Sequence, residues 1–124
     1  MTHGDMHPGN AIWDPSKSKL VLIDFEMMGL GSGPTDLAIW IAVRSSPAWR
    51  RKYEKEFVEL YYETLISWGE KSGKLSRESY TLEQCWYQYK FDGAAKLLMY
   101  FLLLPVLSND HFTKDMEVGL KAFL

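Results

Sequence analysis

The chain has 124 residues, 47% of them hydrophobic, with five Trp, seven Tyr and six Phe; it is long enough to bury a core and rich in aromatic surface for its length. Fourteen basic and sixteen acidic residues leave a net charge of −2, which offers no electrostatic footprint for nucleic acid or an anionic membrane. A single cysteine, Cys85, excludes an intrachain disulfide, and residues 1 to 15 lack the basic start and apolar core of a secretion signal, so a reducing, cytoplasmic setting is expected.

The first element is a polar loop, His3-Gly4-Asp5-Met6-His7-Pro8-Gly9-Asn10. Ala11-Ile12-Trp13 and Leu20 to Ile23 are β-prone runs separated by the turn-rich Asp14-Pro15-Ser16-Lys17-Ser18-Lys19, which predicts a hairpin. Asn10 precedes its first strand and Asp24 follows its second, so the two are expected at one end. Gly29-Leu30-Gly31-Ser32-Gly33 imitates a nucleotide loop, but the dinucleotide fingerprint needs glycine where Pro34 stands. It reads as a connection whose glycines permit turns with φ > 0.

The remainder reads as helical. Asp36 is the expected N-cap of a helix over Leu37 to Val43, and Ser46-Pro47 opens the next. Phe57, Leu60, Tyr61, Thr64, Leu65 and Trp68 follow helical spacing, predicting a stripe that faces a core until Gly69. Residues 69 to 80 form a polar connector. Thr81 and Gln84 satisfy a capping box that starts a long helix, which Pro105 should end. Its stripe Trp86, Tyr89, Gly93, Leu97, Tyr100 and Leu104 predicts core packing. The apolar run from Leu97 to Leu107 is too short for a membrane span of about 20 residues and reads as a buried helix. Phe112, Met116, Leu120 and Phe123 predict a last amphipathic helix.

The polar groups of the first 24 residues suggest a chemistry. Phosphoryl transfer requires an oriented hydroxyl and metal ions that neutralise phosphate charge. Mg²⁺ takes oxygen ligands and only one or two carboxylates from protein. Asn10 and Asp24 suit that role, and Asp5 can accept the hydrogen bond of the acceptor hydroxyl and orient it. The Asp5-to-Asn10 interval reproduces the H-R-D-x-x-x-x-N spacing of kinase loops.

Through His3-Gly4-Asp5 to Asn10, Ile23-Asp24-Phe25-Glu26 and Gly33-Pro34-Thr35-Asp36-Leu37-Ala38, the chain resembles the aminoglycoside phosphotransferase, choline kinase and ecdysteroid-kinase-like (CHK-like) group, whose fold is related to protein kinases. The resemblance implies a small-molecule kinase using ATP and Mg²⁺, with Asp5 as catalytic base, Asn10 and Asp24 on the metal, and His3 and Asp36 bracing the loop. Glu26 replaces the glycine of the protein-kinase D-F-G and favours the small-molecule branch. The expected fold class is α+β, a mostly helical kinase-like C-lobe comprising a catalytic loop and hairpin (1–28), a glycine-rich connection (29–35) and a helical region (36–124).

Met1 lies two residues before the catalytic motif, leaving no room for the glycine-rich cover and Lys of an N-terminal ATP lobe. The 124 residues alone are therefore expected to show no turnover and to need a missing lobe or partner chain. The acceptor, a small molecule with a hydroxyl, is expected between the loop and the helices, where Trp40, Trp68 or Trp86 could line a pocket and Glu83 or Asp92 hold an ammonium group. Two alternatives stand beside this: a catalytically inactive kinase-like fragment or interaction module, and a metal-dependent phosphoesterase using His3, Asp5 and His7. The second lacks further ligands, since the remaining histidine, His111, is far along the chain.

Overall fold

β-branched and aromatic residues on either side of a tight turn set the hairpin, and a computed structural model of the chain shows it. The structure describes residues 1–107, with side chains through residue 102. Strand β1 (Ala11–Asp14) runs antiparallel to β2 (Lys19–Leu22), pairing Ala11 with Leu22, Ile12 with Val21, Trp13 with Leu20 and Asp14 with Lys19. The turn closes on Asp14, whose Oδ1 accepts from the Ser16 amide at 3.0 Å and its hydroxyl at 2.6 Å, while Ser18 takes φ +50°. Those Ser16 bonds hold the Asp14 carboxyl below the usual carboxylate range. A two-stranded ribbon is marginal in water by itself. Here Ile23 N donates to Asn10 O at 2.9 Å, tying the ribbon to the preceding loop.

Three helices follow: α1 (Gly33–Arg44), α2 (Pro47–Lys71) and α3 (Leu82–Leu107), giving an α+β, mostly helical architecture. Helix α1 begins three residues before Asp36, which corrects the expected cap. Pro34 has no N–H to leave unpaired in a first turn, so the helix can start there, and the Asp36 carboxylate is used elsewhere. Helix α2 opens as expected, with Ser46 Oγ accepting from Trp49 N at 3.2 Å. The capping box of α3 also forms: Thr81 N donates to Gln84 Oε1 at 2.8 Å and Gln84 N to Thr81 Oγ1 at 3.2 Å.

The core lies where α1, α2 and α3 meet, around Ala38, Ile41, Val58, Tyr62, Ile66, Cys85 and Tyr89, and it continues along α1 and α3 through Ile39, Ala42 and Leu97. Helices α1 and α3 approach closely at Gly93, where an added Cβ would fall 2.4 Å from that of Ala38. The α2 stripe is corrected by one residue: Val58, Tyr62 and Ile66 are buried, whereas Phe57 and Leu60 are exposed and Trp68 is 69% exposed. Both rows satisfy a helical period. The row one position later carries slimmer β-branched residues that fit beside Ala38 and Cys85, and Tyr62 sends its hydroxyl to Tyr80 O at 3.1 Å.

Three further boundaries differ. Helix α2 runs past Gly69 to Lys71 and is stopped by Gly73 at φ +65°, whose amide donates to Glu70 O at 3.1 Å. Gly69 serves packing instead, since a Cβ there would lie 2.5 Å from Leu75 Cβ. Helix α3 continues through Pro105 to Leu107; with two residues left in the described helix, the missing N–H removes a single backbone bond. Within the run, Leu97 is buried, but Leu98 and Leu102 are exposed. None of the described helices is long and apolar enough to cross a membrane. The expected last helix from Phe112 to Phe123 and His111 lie outside the described residues.

Burial raises the phenol pKa of Tyr61, Tyr80, Tyr89 and Tyr100, that of Tyr61 to about 12. Above pH 10 the unfolded chain releases these protons before the folded one, so their stabilisation is complete below pH 10 and lost as pH climbs towards 12. Alkaline titration is expected to show tyrosinate absorbance rising together with loss of the helical circular dichroism. Full ionisation near pH 10 with intact helices would contradict it.

Candidate functional site

The loop before β1 is fixed from three sides. Thr2 and Gly29 exchange backbone bonds, Thr2 N to Gly29 O at 2.9 Å and Gly29 N to Thr2 O at 3.3 Å, laying the loop beside the segment that follows Asp24. His3 is 5% exposed; its Nε2 pairs with Ile23 O at 2.9 Å, and its ring meets Phe25 with centroids 4.6 Å apart. Asp36, in the first turn of α1, accepts from His3 N at 2.7 Å and Gly4 N at 3.1 Å. One carboxylate thus satisfies two loop amides.

Gly4 turns the chain at φ +84°, where a Cβ would sit 2.1 Å from Met27 O. Only glycine accommodates both the dihedral and the neighbouring backbone. The turn brings Asp5 against Asn10, which is 6% exposed: Asn10 Nδ2 donates to Asp5 O at 2.9 Å and to Asp5 Oδ2 at 3.3 Å. His7 Nε2 lies 3.5 Å from the same Oδ2. His7 Nδ1 accepts from Gly9 N at 3.0 Å and so caps the short 3₁₀ turn Pro8–Asn10 that carries Asn10 into place. With Nδ1 accepting, a neutral His7 keeps its proton on Nε2, facing Asp5.

Asn10 O extends the hairpin ladder to Ile23 N, so Asp24 follows the residue paired with Asn10 and both stand at the same end of the ribbon. Asp24 takes φ +62°, a left-handed conformation that Asp tolerates better than most residues but that still stores strain. Its carboxylate is exposed and takes no hydrogen bond or ion pair from the described residues. No described residue donates to Asn10 Oδ1, since its Nδ2 faces Asp5. The donor set at this end is therefore one amide oxygen and carboxylate oxygens, the hard, sparse ligation that Mg²⁺ accepts while keeping waters and phosphate oxygens. Among the described residues no group of three or more His, Cys, Asp and Glu side chains gathers for a metal. His3, committed to Ile23 O and buried, does not join Asp5 and His7 as ligands.

The other candidates separate. Gly29, Gly31 and Gly33 do not use left-handed dihedrals, correcting that expectation; the positive-φ glycines among the described residues are Gly4 and Gly73. Gly33 makes room for Tyr61, whose hydroxyl would lie 2.2 Å from a Cβ there. Trp40 is half-buried and lines a cavity of about 360 Å³ with Met6, Leu22, Leu37, Phe57 and Tyr61. Trp68 is exposed, and Trp86 packs edge-on against Tyr89 with centroids 5.6 Å apart. Glu83 is exposed and Asp92 half-buried, both on α3.

Spacing predicts a core place for Tyr100, but its single O–H is shared between Gly4 O at 3.1 Å and, farther off, Asp5 Oδ1 at 3.4 Å. Nothing local in sequence marks a contact spanning 95 residues.

A family model described as uncharacterized oxidoreductase dhs-27 (DUF1679) matches residues 1–121. No curated protein and no solved structure matches the chain.

Proposed function

The chain belongs to the DUF1679 family, and from that premise we propose that it carries the catalytic portion of an ATP-dependent small-molecule phosphotransferase with a kinase-like C-lobe, transferring the γ-phosphoryl group to a hydroxyl acceptor. The observation that carries this reading is the contact of Asn10 Nδ2 with Asp5, in a loop whose last residue bonds the ribbon end that bears Asp24. A carboxylate for the hydroxyl proton thereby touches the Asn10 amide, and Asp24 follows the ribbon residue whose N–H Asn10 O accepts.

Each residue has a role in this chemistry. Asp5 accepts a hydrogen bond from the acceptor hydroxyl and takes its proton as the oxygen bonds to phosphorus and the bond to the β-phosphate oxygen breaks. Asn10 Oδ1 and the Asp24 carboxylate would hold Mg²⁺, which when bound neutralises charge on the phosphate oxygens. Asp36 and His3 keep the loop in register with the ribbon through the Gly4 amide, the His3 amide and Ile23 O. The resemblance of the three motifs to small-molecule kinases supports the same assignment.

The family description speaks of an oxidoreductase. A dinucleotide site of the familiar kind needs a parallel strand–helix–strand unit with a glycine-rich turn at the helix N-terminus. The described strands are an antiparallel pair, and the glycine run leads into α1 through Pro34. The donor set at Asp5, Asn10 and Asp24 fits phosphoryl transfer better.

The test is transfer from γ-labelled ATP to an alcohol by a polypeptide that joins these residues to a nucleotide-covering lobe. Asp24→Asn is expected to lower metal-dependent turnover at least about a hundredfold, corresponding to the several kcal/mol of charge stabilisation a bound metal provides. Near-normal turnover in Asp24→Asn would remove that residue from its role. Absence of transfer by the intact polypeptide would favour an inactive kinase-like module.

A further inference from the structure

We propose that Tyr100 is a positioning residue for Asp5: its hydroxyl, carried on α3, fixes the Asp5 carboxylate by holding both Gly4 O and Asp5 Oδ1. The contact rests on geometry from a distant element. Tyr100 OH lies 3.1 Å from Gly4 O and 3.4 Å from Asp5 Oδ1, so one phenol bridges the backbone turn that presents Asp5 and the carboxylate itself. The other carboxylate oxygen, Oδ2, faces Asn10 Nδ2 at 3.3 Å and His7 Nε2 at 3.5 Å. Without Tyr100 the Oδ1 edge has no described partner, and Asn10 and His7 hold the carboxylate by Oδ2 alone.

The phenol is suited to this task. Burial, with the Asp5 charge beside it, pushes its pKa well above the usual tyrosine range, so the hydroxyl keeps its proton and stays a donor. Its ring is held where α3 packs on α1 against Ile39, Ala42 and Leu97. Helix α3 thereby adds a tie at Oδ1 to those that Asn10 makes at Oδ2 and Asp36, from α1, makes to the loop amides. Placement of a base to within a fraction of an ångström governs turnover strongly. The catalytic importance of this tie rests on the phosphotransferase reading, whereas the tie itself does not.

The experiment uses the chain itself. In Tyr100→Phe, which keeps the ring, amide exchange of Gly4, Asp5 and Met6 is expected to quicken about tenfold, the size of one lost hydrogen bond, with helical amides such as Ala42 and Ile66 little changed. The ¹³C resonance of the Asp5 carboxyl should shift in the same variant. Reciprocally, Asp5→Asn should move the ¹³Cζ signal of Tyr100 and leave the other tyrosines in place, a readout that survives if Tyr100→Phe does not fold. Unchanged loop exchange and unchanged signals in both variants would overturn the proposal. So would equal acceleration of loop and helices, the mark of a general packing role. Because neither readout needs nucleotide or turnover, failure of the tie is distinguishable from failure of the phosphotransferase reading.

Discussion

Asp36→Ala is expected to destabilise the chain by about 3 kcal/mol, since it leaves two part-buried backbone donors, His3 N and Gly4 N, without the carboxylate they share. Each orphaned amide costs about 1–3 kcal/mol when water cannot replace the lost partner fully. For a domain of this size the midpoint of thermal unfolding should fall by about 10 °C. Asp36→Asn tests the electrostatics at nearly constant shape: its amide nitrogen must face one of the two N–H groups, so most of the loss should persist. Differential scanning calorimetry of the three proteins decides the matter, and a change below about 0.5 kcal/mol in Asp36→Ala would show that the loop does not depend on this brace.

Gly4→Ala should be at least as damaging, for a different reason. An alanine at φ +84° is strained by about 1–2 kcal/mol, and its Cβ would stand 2.1 Å from Met27 O, a contact that backbone must move to relieve. Moving that backbone strains the Thr2–Gly29 bridge and the Asp36 bonds, which hold the residues just before Asp5. The expected outcome is a loss of about 3 kcal/mol or more together with changed amide shifts from residue 2 to residue 10. Gly73→Ala is the control: it shares a positive φ, but its Cβ would meet nothing within 4 Å, so only the dihedral penalty should appear. Equal effects at the two positions would refute the Met27 contact as the cause.

What could be read from sequence was mainly what is decided locally. The hairpin followed from two β-prone runs around a turn, and the caps at Ser46 and Thr81 followed from hydroxyls placed next to the amides they satisfy. Placement of Asn10 and Asp24 at one ribbon end followed from the same register. Long-range choices were not legible. Helix α2 offers two apolar rows, and only packing against α1 and α3 selects Val58, Tyr62 and Ile66 over the bulkier row through Trp68. Asp36 looked like a cap because acids favour first turns, yet Pro34 starts α1 earlier and frees that carboxylate for His3 and Gly4. Tyr100 fitted a core stripe, and its polar end was visible only once α3 lay beside the loop.

The exposed row Phe57, Leu60 and Trp68 and the half-exposed hairpin residues Ile12, Trp13 and Leu20 carry the aromatic surplus noted from composition. They make none of the contacts that hold the loop from His3 to Asn10, which come from Ile23 after β2, from α1 and from α3. Apolar substitutions on those exposed faces should therefore affect the loop less than either change described above.

In the proposed site, the ribbon end and its loop would hold a magnesium nucleotide through Asn10 and Asp24, with Asp5 in the same loop. Manganese reports it directly, because it takes similar oxygen ligands and broadens nearby resonances. On titration of the chain with Mn²⁺ and ATP, the amide signals of Asp5, Asn10 and Asp24 should broaden first, and Asp24→Asn should suppress that pattern. Broadening that begins elsewhere on the chain, or that is the same in Asp24→Asn as in the unaltered chain, would contradict the claim.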